Sequence, residues 1–174
     1  MDMNRLKKKL NQKSIDKRMT TKIDSKAPDF TLQNTKGEHI TLSGFRGDTN
    51  IVLLFFPVAF SSTCTKELCT TRDNMKLYNS LDAKVFGISV DSFFCLREFK
   101  KRENLNFTLL SDFNREVSAK YNVLYDDFYG MKGVSKRASF VIDKEGTIKF
   151  QEILEDASGL PDFKGIQQTL GELK

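Results

Sequence analysis

The feature that most limits how this chain can fold is a pair of short apolar runs, Ile51–Phe56 (IVLLFF) and Val85–Val90 (VFGISV). A strand whose residues are apolar without alternation is covered on both faces. Pro57 ends the first run, and Asp91-Ser92 ends the second and supplies a cap for a helix over Phe93–Glu103. Between the runs, from Thr63 to about Leu81, Leu68, Arg72, Met75 and Tyr78 or Asn79 follow the 3.6-residue period of a helix. Buried strand, helix, buried strand is the beginning of an α/β order.

The flanking segments extend that order. Phe30-Thr31-Leu32 and Glu38–Leu42, with Gly37 between them, read as a small N-terminal β-hairpin. Phe107–Leu110 reads as a short strand and Arg115–Tyr121 as a helix. Ala138–Asp143 and Thr147–Ile153, separated by Lys144-Glu145-Gly146, form a hairpin. A last helix, Asp162–Leu173, carries Phe163, Ile166, Leu170 and Leu173 on one side. The expected fold is α/β and thioredoxin-like: a central mixed β-sheet flanked by helices, with an N-terminal β-hairpin extension.

Charge narrows the function. The chain has 174 residues and a net charge of +5, yet seven of its 28 basic residues and two of its 23 acidic ones lie within residues 1–18. The remainder is formally neutral and shows no basic face that would follow a phosphate backbone, which argues against a nucleic-acid partner. Residues 1–22 read as a disordered basic arm, and residues 23–174 as one domain. No apolar run approaches the ~20 residues of a membrane span, and residues 1–22 hold no apolar segment of a secretory signal. Three cysteines, Cys64, Cys69 and Cys95, are too few for a disulfide scaffold. A reducing, cytoplasmic setting is the expectation, and there a Cys pair is catalytic or metal-binding more often than structural.

The chemistry concentrates after the first buried strand, in Pro57-Val58-Ala59-Phe60-Ser61-Ser62-Thr63-Cys64. The strand stops at a proline, crosses a short loop and puts a cysteine in the first turn of a helix. Free N–H groups and the positive end of the helix dipole favour a thiolate there. Two cysteines with no His nearby do not complete a four-ligand zinc site, and Cys-x4-Cys is not the Cys-x-x-Cys of a thioredoxin. The single histidine, His39, sits in the early hairpin, far in sequence from Cys64. That weakens a Cys–His protease reading. No metal or cofactor is expected.

Pro57, Ser61 and Cys64 match the peroxiredoxin signature Pro-x-x-x-(Thr/Ser)-x-x-Cys, and Glu67 agrees with the same pattern. Lys136-Arg137-Ala138-Ser139-Phe140-Val141-Ile142-Asp143 resembles the strand that carries that family's active-site arginine. The resemblance covers roughly residues 22–160 and is strongest to the bacterioferritin-comigratory (Q-type) peroxiredoxins. It implies a thiol peroxidase with Cys64 as the peroxidatic residue. Ser61 and backbone N–H groups would hold the peroxide oxygens, Arg137 would stabilise thiolate and transition state, and Pro57 would shield the sulfenic acid. Glu67 would orient an arginine; its other reading is a first-turn acid that favours the helix dipole. Ser61 has the plain alternative of a helix N-cap.

Sulfenic acid must be resolved by a second thiol. The resemblance favours Cys69, with Cys95 as its competitor and an external thiol as the third route. On one helix, residues five apart are separated by about 7.5 Å along the axis and ~140° around it. A disulfide needs Cα atoms within about 6.8 Å, so a Cys64–Cys69 bond requires the helix to unwind. The implied partners are a peroxide and thioredoxin or another dithiol, and the implied assembly is a monomer or weak homodimer. A non-catalytic peroxide sensor, with Phe93-Phe94 exposed for contacts, is the competing reading. Two departures stand out: Ser61 where Thr is commoner, and Thr71 where an aromatic residue often precedes Arg72-Asp73.

Overall fold

The computed structural model describes residues 21–173. Its strands in chain order are Thr31–Asn34 (β1), His39–Thr41 (β2), Asn50–Phe55 (β3), Ala83–Ser89 (β4), Thr108–Ser111 (β5), Arg137–Ile142 (β6) and Ile148–Leu154 (β7). Its α-helices are Ser62–Asp73 (α1), Met75–Ser80 (α2), Phe93–Arg102 (α3), Glu116–Lys120 (α4) and Phe163–Glu172 (α5). All seven strands join one sheet in the order β2-β1-β5-β4-β3-β6-β7. The two apolar runs become neighbours: β3 pairs in parallel with β4, with Asn50 opposite Ala83 and Phe55 opposite Ile88. β4 is also parallel to β5, while β3–β6, β6–β7, β1–β5 and β1–β2 are antiparallel. This is the mixed, thioredoxin-like sheet expected from the order of elements, lengthened at one edge by the N-terminal hairpin.

The continuous apolar run of β3 has a simple purpose. Side chains alternate between faces with period two, and both faces of β3 are covered. Val52, Leu54 and Phe56 enter one core with Cys64, Leu68, Leu96, Phe99 and Ile166. Ile51, Leu53 and Phe55 enter the other with Phe86, Val117, Tyr121 and Phe140. In that second core Phe55, Tyr121 and Phe140 form a triangle of rings with centroids 5.1–5.8 Å apart. The Tyr121 hydroxyl donates to the Pro28 carbonyl at 2.9 Å, tying the N-terminal segment to the same face.

Two local features differ from the sequence-based expectation. The single helix expected over 63–81 is two, broken at Asn74, whose φ of −102° and ψ of 6° leave the helical region. Its side-chain amide donates to the Thr70 carbonyl at 2.8 Å, the local competition with backbone bonding that makes Asn a poor interior helix residue. The helix expected to begin at Arg115 begins at Glu116, because Arg115 is left-handed at φ 63°. Asp112 supplies the cap instead, accepting from Val117 N at 3.1 Å and Ser118 N at 2.7 Å. Residues 122–136 carry no periodic pattern in the sequence; here they form a loop pinned by isolated bridges Leu124–Ser135 and Phe128–Met131.

Residues 1–20, most of the basic arm, lie outside the described residues. Thr21, assigned to the arm, is buried and places its hydroxyl 3.5 Å from the Tyr121 carbonyl.

Phe140 is fully buried where β6 meets β3. Phe140→Ala is expected to lower unfolding free energy by about 3–5 kcal/mol through lost burial and a residual cavity. A urea titration followed by far-UV circular dichroism measures it.

Candidate active site

The site begins where β3 runs out. Phe56 N still bonds to the Ile88 carbonyl at 3.0 Å, but Pro57 has no N–H to continue the ladder. The loop Pro57–Ser61 is then fixed from outside the strand. Ala59 N donates to Asp91 Oδ2 at 2.8 Å, and the same oxygen accepts from Ser89 Oγ at 2.7 Å. Ser111 Oγ holds the Asp91 carbonyl at 2.6 Å. Phe60 turns through a left-handed φ of 66° and is exposed. That conformation is uncommon outside Gly, Asn and Asp.

Ser61 occupies the N-cap position of α1 with extended backbone, yet its hydroxyl caps nothing in the helix. It donates to the Val58 carbonyl at 3.2 Å. The plain capping alternative is therefore absent. The first intrahelical bond is Thr65 N to Ser61 O, so the N–H groups of Ser62, Thr63 and Cys64 have no acceptor within the helix. Cys64 sits in this turn with its side chain buried.

The strand register brings the arginine here. Ala138 of β6 lies opposite Phe55, the last residue of β3, so Arg137 stands beside the start of α1. Its Nη2 lies 3.5 Å from Cys64 Sγ and 3.0 Å from the Ala157 carbonyl. Its Nη1 pairs with Glu67 Oε2. Glu67 is three residues beyond Cys64, and side chains at that spacing share a helix face. Arg137 and Glu67 are at most 1% exposed.

A buried carboxylate needs more partners than Glu67 has. Among the described residues, Oε1 of Glu67 and Nε of Arg137 have no hydrogen-bond partner. One ion-pair contact does not repay the removal of a carboxylate from water. Burial accordingly pushes the Glu67 carboxyl up from 4.5 to about 7, against the opposing pull of Arg137.

Pro57, Ser61, Cys64 and Arg137 line one open cleft of about 420 Å³, together with Ser62, Thr63, Tyr125 and Ala157. Glu67 lies beneath it. Cys69 and Cys95 line no part of it. Cys69 Sγ faces Glu103 Oε2 at 3.7 Å, and Cys95 Sγ faces Asp91 Oδ1 at 3.8 Å. Burial first, and then the neighbouring carboxylates, raise both thiols, although Arg72 pulls Cys69 the other way. All three cysteines are unpaired. Of the exposed pair expected at 93–94, only Phe94 is exposed; Phe93 is half-buried and stacks on it at 4.0 Å. His39 is exposed on β2, with β1, β5 and β4 between it and β3.

Three contributors escaped the sequence reading. Asp91 was legible as the end of a strand, but its hold on Ala59 depends on a loop placed only by folding. Tyr125 and the Ala157 carbonyl carried no local signal.

A thioredoxin-like sheet with a buried cysteine at a helix start, beside an arginine from the neighbouring strand, defines a thiol-based redox protein. The comparisons agree. The pattern of the AhpC/TSA family matches residues 23–151. Alkyl hydroperoxide reductase E of Mycobacterium tuberculosis is 35% identical over 133 residues, covering 75% of this chain and 84% of that protein. The putative peroxiredoxin bcp of Coxiella burnetii is 38% identical over 133 residues, covering 75% of this chain and 87% of its own length. The crystal structure of peroxidoxin BcpB from M. tuberculosis superposes with a TM-score of 0.79 at 28% identity, over 88% of this chain and 99% of that one. The chain belongs to the AhpC/TSA family, the peroxiredoxins, and is a thiol-dependent peroxidase.

The raised Glu67 carboxyl binds its proton more tightly folded than unfolded. Its contribution to stability is therefore full below about pH 4.5 and is lost as pH rises toward about 7. Glu67→Gln removes this titration. The unfolding free energy of the native protein minus that of the variant should fall across that interval in urea titrations at stepped pH.

Proposed function

We propose that Cys64 is the peroxidatic nucleophile, on the strength of one observation above others: Arg137 Nη2 stands 3.5 Å from a buried sulfur at the floor of an open cleft. Arginine does not lose its charge in a protein, so the sulfur has a permanent cationic neighbour. The thiolate attacks one oxygen of a hydroperoxide, the S–O bond forms as the O–O bond breaks, and the other oxygen leaves as an alcohol or water after taking a proton. Sulfur is oxidised to sulfenic acid and the peroxide is reduced. Arg137, Ser61 and the free N–H groups of the first turn of α1 supply donors for oxygens that gain charge as the bond breaks. Pro57 closes one side of the sulfur.

The sulfenic acid is then attacked by the Cys69 thiol, expelling water and leaving a disulfide that thioredoxin or a similar dithiol reduces. Because both residues lie on α1, this step requires the intervening turns to open. Thr70 and Thr71, β-branched residues beside Cys69, lower the intrinsic helix preference of that end. The reaction belongs in a reducing, cytoplasmic compartment. A second reading gives the resolving role to Cys95. Asp91 touches both its sulfur and the Ala59 N–H, which puts Cys95 at the base of the active-site loop.

Cys64→Ser is expected to abolish peroxide consumption, and measurable turnover in that variant would sink the assignment. Cys69→Ser should form sulfenic acid normally but lose thioredoxin-dependent turnover. Intact mass and peptide mapping after one equivalent of peroxide identifies the linked pair, and a Cys64–Cys95 peptide would transfer the role. Arg137→Lys should lower the second-order rate of Cys64 oxidation roughly 100-fold, since one ammonium cannot reach Cys64, Glu67 and Ala157 together. Competition against a haem peroxidase reads that rate.

A further inference from the structure

The walls of the cleft differ from its floor. One side is aromatic and comes from the 122–136 loop: Tyr125 stacks on Phe128 with centroids 5.2 Å apart, and Tyr129 meets the Phe128 edge at 4.9 Å. The Tyr125 hydroxyl donates toward the Leu154 and Glu155 carbonyls at 3.4 and 3.3 Å, which anchors this wall to the end of β7. Tyr129 is 90% exposed although it lines the cleft. Large aromatic surface left at the mouth of a reactive site is suited to holding an apolar substrate tail.

Three further lining side chains are acidic. Asp127, Glu155 and Asp156 face the same cleft, and all three are exposed. Glu155 is neutralised by Lys136 at 2.7 Å. Asp127 and Asp156 have no salt-bridge partner among the described residues; Asp127 accepts from the Gly130 N–H at 3.3 Å and Asp156 from the Ser158 N–H at 2.9 Å. The bond from Ser158 holds the Asp156 carboxyl below its ordinary value, so it is ionised at neutral pH. Among the described residues the single cation lining the cleft is Arg137. It is buried, and its two terminal nitrogens are engaged by Glu67, Cys64 and Ala157. A substrate entering the cleft meets aromatic surface and negative charge before it meets Arg137.

We infer that this cleft sorts hydroperoxides by charge, taking neutral organic hydroperoxides with apolar tails and disfavouring anionic ones, with Asp127 and Asp156 as the specificity-determining residues. The inference rests on Cys64 being the residue oxidised. An apolar tail lies along Tyr125, Phe128 and Tyr129 at no electrostatic cost. A tail ending in a carboxylate, or an anionic peroxide, approaches Asp127 and Asp156 through water that screens them over about 8 Å at physiological salt. The effect is therefore one on the rate of association, and it fades as salt is raised.

A matched pair of substrates tests it: a fatty-acid hydroperoxide and its methyl ester, both below the concentration at which they aggregate. They carry the same tail and the same peroxide and differ by one charge. Stopped-flow measurement of Cys64 oxidation in the full chain should show the ester reacting roughly tenfold faster at about 20 mM salt, with the gap narrowing at about 500 mM. In Asp127→Asn/Asp156→Asn the ratio of ester to free-acid rate at low salt should shrink roughly threefold or more. Equal rates at low salt, or a faster free acid, overturn the inference and leave the peroxidatic role of Cys64 standing. So does a ratio indifferent to both salt and the double variant. If neither peroxide oxidises Cys64, the peroxidatic reading falls and the selectivity with it. The salt series needs only the native protein, so the result does not depend on the variant folding.

Discussion

One guanidinium organises this site. Arg137 meets Cys64, Glu67 and the Ala157 carbonyl at once, joining α1, β6 and the segment after β7. A fixed planar fork with several donors can do this where a flexible ammonium cannot. Burying such a group is costly, and replacing a buried ion pair by apolar side chains often leaves a protein no less stable. The stability of the fold thus gives no reason for an Arg–Glu pair beneath a cysteine. The geometry gives one. The carboxylate takes one edge of the fork and leaves Nη2 directed at sulfur.

That geometry is inherited from the sheet. Arg137 is the first residue of β6, and its position follows from the pairing of Ala138 with Phe55. A one-residue slip in this register would turn Arg137 to the opposite face. Slippage is opposed by the packing of β3 and β6 on both faces, where Leu54 enters one core and Phe55 and Phe140 the other. The strands that read as featureless hydrophobic runs are what align the arginine beside Cys64. Asp91 plays a similar part for the loop, carrying the end of β4 across to Ala59.

How much of this could be read from the sequence follows from the range of each interaction. The runs at 51–56 and 85–90 report burial directly, and the break at Pro57 followed by a helical pattern places Cys64 at a helix start. The partnership of Glu67 with Arg137 joins residues 70 apart, and only family resemblance suggested it. The 122–136 loop shows the opposite case. Its aromatic residues have no period, so neither helix nor strand could be assigned, and yet its fold supplies a wall of the cleft. Asn74 shows a finer limit. The hydrophobic period runs straight through it, and only the reach of its amide back to Thr70 breaks the helix.

The ion pair beside Cys64 also stands in the way of a Cys64–Cys69 disulfide. Glu67 lies between the two cysteines on α1, and helix geometry holds them too far apart to bond. Any path that unwinds this segment must detach Glu67 from Arg137 and expose its carboxyl to water. In water the carboxyl recovers an ordinary acidity and ionises, so the open segment is favoured increasingly as pH rises toward about 7, the value at which the buried carboxyl gives up its proton. Leu68, fully buried beside it, opposes the opening through its apolar contacts. The closed form is therefore held by a packed leucine and a carboxyl with an orphaned oxygen, one a strong restraint and the other a weak one.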